Sequence, residues 1–247
     1  MSEWIYPQWV AHRGAGKLAP ENTLAAFKLG ASHGYRMFEC DVKLSSDGVP
    51  FLLHDDTLDR TTSGTGLGSD HTWATLQGFD AGRWQSAPYA RDYSGEPLPS
   101  LGTIAAYCIS NGFDLNIEIK PTTGTDELTG KVVAQYAARL WQHESRKPLL
   151  TSFKPDALQA ARDAAPHLPR GLLLHELWTG WLETGLMLGC EAIICHHKLW
   201  DVSSMTQAKS AGFKTLSYTV NDEAEANRLL ALGIDGIITD RVDFFKP

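Results

Sequence analysis

MFECDVKL, residues 37–44, decides the fold. It reads as a β-strand whose apolar run is broken only by charged residues at alternate positions. Glu39 and Asp41 stand two residues apart, so a strand sets both side chains on one face. A parallel β-barrel presents such residues on its inward face near the strand C-termini, the floor of its active site. The next strong strand, DLNIEIK at 114–120, repeats the device with Glu118 and Lys120.

Short apolar strands extend in both directions from this pair, predicted at 8–12, 149–153, 171–175, 192–196, 214–220 and 236–240. Between them the apolar residues recur with a period near 3.6, as in Leu24, Phe27 and Ala31, or Leu128, Val132, Tyr136 and Leu140. Gly34 suits the position just past the end of the first helix, and Asp222 to Glu225 have the spacing of a capping box. Eight strands alternating with amphipathic helices over 247 residues imply an α/β fold, a (β/α)8 TIM barrel, as one domain over 1–247. A doubly wound open sheet is the alternative, but no G-x-G-x-x-G opens the first helix. Residues 56–99 break the alternation. They are rich in Gly, Ser, Thr and Asp, with Trp73, Phe79, Trp84, Tyr89 and Tyr93 among them. This is too long for an ordinary connection and too aromatic for a linker, so a small inserted subdomain after the second barrel strand is expected near the barrel mouth.

Composition narrows the partners. Net charge is −7 and no basic cluster is present, which argues against nucleic acid and against lasting adhesion to anionic membranes. No apolar stretch approaches the ~18 residues that span a bilayer, so no membrane insertion is expected. Residues 1–14 lack the sustained apolar core of a signal peptide, and the chain reads as soluble and cytoplasmic. Cys40, Cys108, Cys190 and Cys195 read as reduced thiols. Cys195, His196 and His197 form no zinc finger, because no second ligand pair stands at finger spacing, and both histidines are left outside the site. Oligomeric state is written in no pattern of the chain, so a homodimer stays open.

Three carboxylates crowded on a barrel floor repel one another unless a cation sits among them. Oxygen-only ligands suit one hard divalent cation, Mg²⁺ or Ca²⁺, held by Glu39, Asp41 and Glu118. His12 and His54 each end a strand-like run, and an imidazole with a pKa near 6.5 serves as acid or base at neutral pH. A divalent ion with Arg13 and Lys120 outweighs the three carboxylates by one positive charge, which matches one phosphodiester anion. These residues therefore point to phosphodiester cleavage.

At these positions the chain resembles the glycerophosphodiester phosphodiesterase family, over essentially its whole length. The resemblance is carried by His12-Arg13-Gly14, Pro20-Glu21-Asn22-Thr23, Glu39-x-Asp41, the run from His54 to Thr62, Asn116-x-Glu118-x-Lys120-Pro121 and the closing stretch 233–240. It looks most like the cytosolic bacterial members. The resemblance implies a TIM barrel with an insertion after its second strand. It also implies hydrolysis of a small-molecule glycerophosphodiester to sn-glycerol 3-phosphate and an alcohol. It places the metal on Glu39, Asp41 and Glu118, acid–base work on His12 and His54, and phosphate on Arg13 and Lys120. Glu21 would brace the site, by orienting a histidine or by lying near the glycerol. Tyr218-Thr219-Val220-Asn221 departs from the family, where many members begin with Trp. The aromatic character is kept, so Tyr218 is expected to wall the glycerol pocket. The expected route is attack of the glycerol 2-hydroxyl on phosphorus, giving a cyclic phosphate that water opens, with His12 as base and His54 as acid. Two rivals are a phospholipase of the C or D type acting on intact lipid and a non-catalytic phosphate-binding barrel.

Overall fold

The computed structural model describes residues 5–82 and 92–247. Eight parallel strands close on themselves: β1 (Trp9–Ala11), β2 (Met37–Leu44), β4 (Asp114–Ile119), β5 (Leu149–Ser152), β6 (Arg170–Leu174), β7 (Ala192–His196), β8 (Lys214–Tyr218) and β9 (Gly236–Thr239). The ring is completed where β1 pairs with both β2 and β9. The intervening helices are α1 (Leu24–Ser32), α3 (Leu101–Asn111), α4 (Asp126–Leu140), α5 (Pro155–Ala164), α6 (Trp181–Met187), α7 (Val202–Ser210) and α8 (Glu223–Ala231). The chain is therefore a TIM barrel, and each expected strand lies where the apolar runs put it.

Period two sorts each strand between two environments. On β2, Met37 joins Val10, Leu149, Leu173, Ile194, Leu216 and Ile238 in an apolar layer that fills the barrel interior. Phe38, Cys40 and Val42 face outward into the layer beneath the helices. Glu39 and Asp41 share the inward parity of Met37 but stand further along the strand, above the apolar plug. Parallel pairing then sets Glu39 beside Asn116 and Asp41 beside Glu118. A second helix-facing cluster covers the other half of the barrel, around Leu172, Trp200, Leu229 and Ile237.

After β2 the chain turns back as β3 (Pro50–Leu52), antiparallel to β2, and delivers His54 to the mouth. Along 53–100 the described residues form a 3-10 turn (Gly68–Asp70), the single α-helical turn α2 (Trp73–Leu76) and bridges Thr57↔Leu67 and Asp80↔Pro97, and Leu53, Leu58, Leu76, Ala81 and Leu98 form a small apolar cluster with Phe51 of β3. Of the aromatic residues singled out in this stretch, Trp73 and Phe79 pack against that cluster, while Trp84 and Tyr89 lie outside the described residues. Among the described residues no helix is long and apolar enough to cross a membrane.

Two local expectations are refined. Gly34 takes a φ of +99° just past α1, as a C′ glycine should. Asp222 caps α8 by accepting from the Glu225 amide, but the Glu225 carboxylate does not complete the box; it is drawn to His197 and Arg228. On α4 the stripe meets the core only in part: Val132, Tyr136 and Leu140 pack half-buried against it, and Leu128 does not. Leu128 is 58% exposed, whereas Gly130, Val133, Ala134 and Ala137 are buried. The reason is close approach. A β-carbon on Gly130 would stand 2.1 Å from the carbonyl oxygen of Ala157, so α4 and α5 touch through small residues. Adding that carbon normally stabilises a helix by about 1 kcal/mol. Here Gly130→Ala is expected to destabilise by about 1–3 kcal/mol, because the facing backbone must move. Gly102→Ala on α3, with only the Ser100 hydroxyl near at 3.5 Å, is expected to leave the melting temperature unchanged or raise it. Thermal melts of the two variants check the pair.

Candidate active site

The polar residues of the mouth come from the C-terminal ends of β1, β2, β4, β8 and β9 and from the loop after β3. The turn after β1 is tight. Gly16 has a φ of +58°, and a β-carbon on it would meet the Asp240 backbone at 2.2 Å, so only glycine lets this turn sit against the end of β9. That contact brings Asp240 to His12, with Nδ1 and Oδ1 2.6 Å apart. Asn221 holds Asp240 in turn: its Nδ2 donates to Oδ2 at 2.8 Å, and its Oδ1 accepts from the Asp240 amide. Nε2 of His12 is thereby turned toward Glu39, 3.8 Å from Oε2. Arg13 follows with a φ of +50°, an uncommon conformation for a residue with a side chain. It lets the Arg13 amide donate to Glu39 Oε2 at 3.0 Å.

Glu39, Asp41 and Glu118 converge, their ligand atoms all within 4.8 Å of one another. This fits a cation-binding group made wholly of oxygens, the donor set a hard divalent ion prefers. Asp41 is the most heavily supported member. Asn22 Nδ2 donates to Oδ2 at 2.8 Å, Asn22 Oδ1 accepts from the Asp41 amide, and Lys120 Nζ stands 3.4 Å from Oδ1. Lys120 also donates to Glu118 at 3.1 Å. Arg13 Nε is 3.2 Å from Asp41 Oδ2 but lacks hydrogen-bonding geometry, and it is buried without another partner.

The carboxylates divide in acidity. Burial opposes the charged form of Asp41, but Arg13 and Lys120 overcome it and hold the group well below the usual carboxylate range. Burial and then the Asp41 charge push Glu39 up to about 8, and the same two causes raise Glu118. Burial lowers the proton affinity of His12, but the Asp240 hydrogen bond and Glu39 outweigh it, and the net shift is upward. His54 goes the other way: burial, with Arg13 and Lys120 behind it, outweighs Asp41 and Asp55 and lowers its affinity for the proton. His54 Nδ1 lies 2.7 Å from Asp55 Oδ1, so each histidine is held by an aspartate at Nδ1.

Among the candidate site residues, His12, Arg13, Glu21, Glu39, Asp41, Glu118 and Lys120 are linked by direct contacts, and His54 joins them through Asp55 and Arg60. Glu21 touches neither histidine; its carboxylate accepts from Arg13 Nη1 at 2.7 Å and from both terminal nitrogens of Arg60 at 2.8 Å. Tyr218 ends β8, and its hydroxyl donates across to the Leu174 carbonyl at 2.9 Å. Its ring meets Phe153 edge to face at 5.6 Å. Both rings border a cavity of about 30 Å³ shared with His12, Glu39 and Glu118. The His196 and His197 rings lie 4.4 Å apart, tilted by 32°, with His196 edge-on to Tyr218 and His197 paired to Glu225. Sequence reasoning assigned no role to Asp240, Asn221, Asn22, Asp55 or Arg60. Each lies within a stretch the sequence had singled out: Asp240 in 233–240, Asn22 in Pro20–Thr23, Asp55 and Arg60 in the run from His54 to Thr62, and Asn221 at the end of Tyr218–Asn221.

Comparison with known proteins decides the lineage. The Glycerophosphoryl diester phosphodiesterase family profile matches residues 12–244, nearly the whole chain. The chain belongs to this family. A glycerophosphodiester phosphodiesterase of Caldanaerobacter subterraneus subsp. tengcongensis is 33% identical over 94% of this chain and 93% of its own. A phosphodiesterase of Oleispira antarctica, solved in complex with the product sn-glycerol-3-phosphate, is 34% identical, covering 95% of this chain and 93% of its own, with a TM-score of 0.87. A glycerophosphodiester phosphodiesterase of Agrobacterium tumefaciens is 27% identical over 97% of this chain and 98% of its own, with a TM-score of 0.78. The chain is an enzyme of this family, a phosphodiesterase acting on glycerophosphodiesters.

The raised Glu39 carboxyl has a consequence for the cation-free protein. Between the ordinary 4.5 and about 8 the folded chain holds a proton on Glu39 that the unfolded chain has released. Stability therefore falls as pH rises across this window. Glu39→Gln removes the term. The melting temperature of wild type relative to Glu39→Gln is expected to drop from about pH 5 to pH 8 in chelator, and to recover at pH 8 when millimolar Mg²⁺ or Ca²⁺ is added.

Proposed function

We propose that the enzyme hydrolyses glycerophosphodiesters to sn-glycerol 3-phosphate and an alcohol, with one divalent cation, Mg²⁺ or Ca²⁺, and the histidine pair His12 and His54. The observation that carries this reading is the juxtaposition in one mouth of the Glu39–Asp41–Glu118 group, two aspartate-held histidines and the cations Arg13 and Lys120. Glu39, Asp41 and Glu118 would hold the cation, which when bound supplies positive charge to the phosphoryl oxygens and acidifies a neighbouring hydroxyl.

The chain's own groups do the rest. Arg13 and Lys120, both held beside Asp41, supply positive charge to the phosphate. Glu21 binds no substrate atom in this reading except through Arg13, whose fork it holds. Tyr218, fixed by its bond to Leu174, walls the glycerol side. His12 accepts the proton of the glycerol 2-hydroxyl as that oxygen bonds to phosphorus, and His54 gives a proton to the alcohol oxygen as its bond to phosphorus breaks, each ring oriented by the aspartate at its Nδ1. Water then opens the cyclic phosphate with the two roles exchanged. Intramolecular attack draws on proximity, which is why a neighbouring hydroxyl is the favoured nucleophile.

We further read residues 56–99 as a small inserted subdomain within the single 1–247 domain, supported by the apolar cluster around Leu58 and Leu76. A cytoplasmic site of action accords with the four unpaired thiols.

Two experiments test the chemistry. His12→Ala and His54→Ala are each expected to lower kcat by about 10²–10⁴ while the melting temperature holds; turnover near wild type removes that residue from the mechanism. A substrate made with propane-1,3-diol in place of glycerol has no 2-hydroxyl and is expected to resist cleavage. Its hydrolysis at the rate of glycerophosphocholine would exclude the cyclic route.

A further inference from the structure

Arg60 enters the site from the stretch beyond His54, and its guanidinium is held by two carboxylates at once. Nη1 and Nη2 donate to the two oxygens of Glu21, each at 2.8 Å, and Nε and Nη2 donate to the two oxygens of Asp55 at 2.6 and 3.0 Å. Beyond each carboxylate stands a working group. Asp55 Oδ1 holds His54 Nδ1 at 2.7 Å, and Glu21 Oε1 holds Arg13 Nη1 at 2.7 Å. The path continues from Arg13 to Asp41. The two ends of this chain of ion pairs arise from different parts of the barrel, the loop after β1 and the loop after β3. Each loop is otherwise fixed on its own side, the second by Lys43, fully buried, whose Nζ meets Asp56 at 2.5 Å.

We propose that Arg60 is a positioning residue: a clasp that sets the His54 imidazole and the Arg13 guanidinium at a fixed separation across the phosphate. This inference rests on the reading of His54 as an acid–base group. The geometry favours it over a plain surface ion pair. Exposed pairs contribute little, because two flexible chains must be ordered for one contact. Here one planar fork makes four hydrogen bonds to two carboxylates, an arrangement that a lysine, as a point charge, cannot reproduce. Glu21 is shared as well. Its Oε1 accepts from Arg13 and Arg60 together, so its single charge sits between two guanidiniums and both are drawn to it. The outcome is a separation set by rigid bidentate geometry, and small displacements of catalytic groups carry large rate costs.

The test uses the full chain, loaded with whichever of Mg²⁺ or Ca²⁺ supports turnover, with glycerophosphocholine as substrate. Arg60→Ala is expected to lower kcat about 10- to 100-fold with KM changed less than about threefold. Arg60→Lys is expected to recover little. Millimolar guanidinium, but not ammonium, is expected to restore part of the kcat of Arg60→Ala. The double variant Arg60→Ala with Asp55→Asn is expected to be no slower than the slower single variant, because both cut the same path. Arg60→Gln, which keeps polar bulk at the same site, provides the comparison should the alanine variant melt early. Turnover within twofold of wild type in Arg60→Ala or Arg60→Gln would overturn the clasp, as would losses that multiply with Asp55→Asn and resist guanidinium. His54→Ala in the same assay separates the two readings. If it keeps full turnover, the assignment of His54 falls and the clasp with it. If it abolishes turnover while Arg60→Ala does not, only the clasp falls.

Discussion

Asp41 is the constraint on which the rest of the site depends. It is a buried carboxylate kept ionised inside a barrel, where burial alone would drive it to take up a proton. Arg13, Lys120 and the Asn22 Nδ2 hydrogen bond are spent on that one carboxylate. Burial and then the Asp41 charge oppose ionisation of its neighbours Glu39 and Glu118, and both carboxyls are raised. The floor is thus built with an imbalance that a divalent cation corrects. The surrounding charges reach the histidines as well: Asp240 raises His12, and the cations gathered for Asp41 help to lower His54.

The barrel makes this concentration of charge tolerable by separating it from the plug below. Met37 and Glu39 are one strand repeat apart, yet one packs with Val10, Leu216 and Ile238 and the other faces the cavity. Parallel register does the rest, since Asp41 and Glu118 are direct partners on β2 and β4 and need no loop to bring them together. The histidines sit on less regular backbone, and each is therefore steadied by an aspartate. The positive φ of Arg13, the glycine-only contact at Gly16 and the bonds from Asn221 are the local cost of setting His12 against Glu39.

Much of this was legible in the sequence because its information is local. Period two puts Glu39 with Asp41 and Glu118 with Lys120, and eight apolar runs interleaved with helical stripes leave few folds open. What was not legible is what depends on distant partners. His12 and Asp240 are 228 residues apart, and no periodicity links them. The four-way grip of Arg60 requires Glu21 and Asp55 to meet in space, which only the turn after β1 and the return of β3 arrange. The exposure of Leu128 on α4 was hidden for a related reason. Hydropathy favours Leu128 for the core, but the tight crossing with α5 selects Gly130 and Ala134, small residues whose value lies in what they leave out.

The most direct test of the central claim, a charge-deficient carboxylate floor completed by a divalent cation for phosphodiester cleavage, is product release under metal control. The purified protein would be stripped with chelator and incubated with glycerophosphocholine and glycerophosphoethanolamine, with and without millimolar Mg²⁺ or Ca²⁺, and sn-glycerol 3-phosphate would be quantified. Release that is lost in chelator and restored by one of the cations is the predicted result. Release that proceeds at full rate in the stripped protein, or no release from either substrate with either cation, would contradict the account.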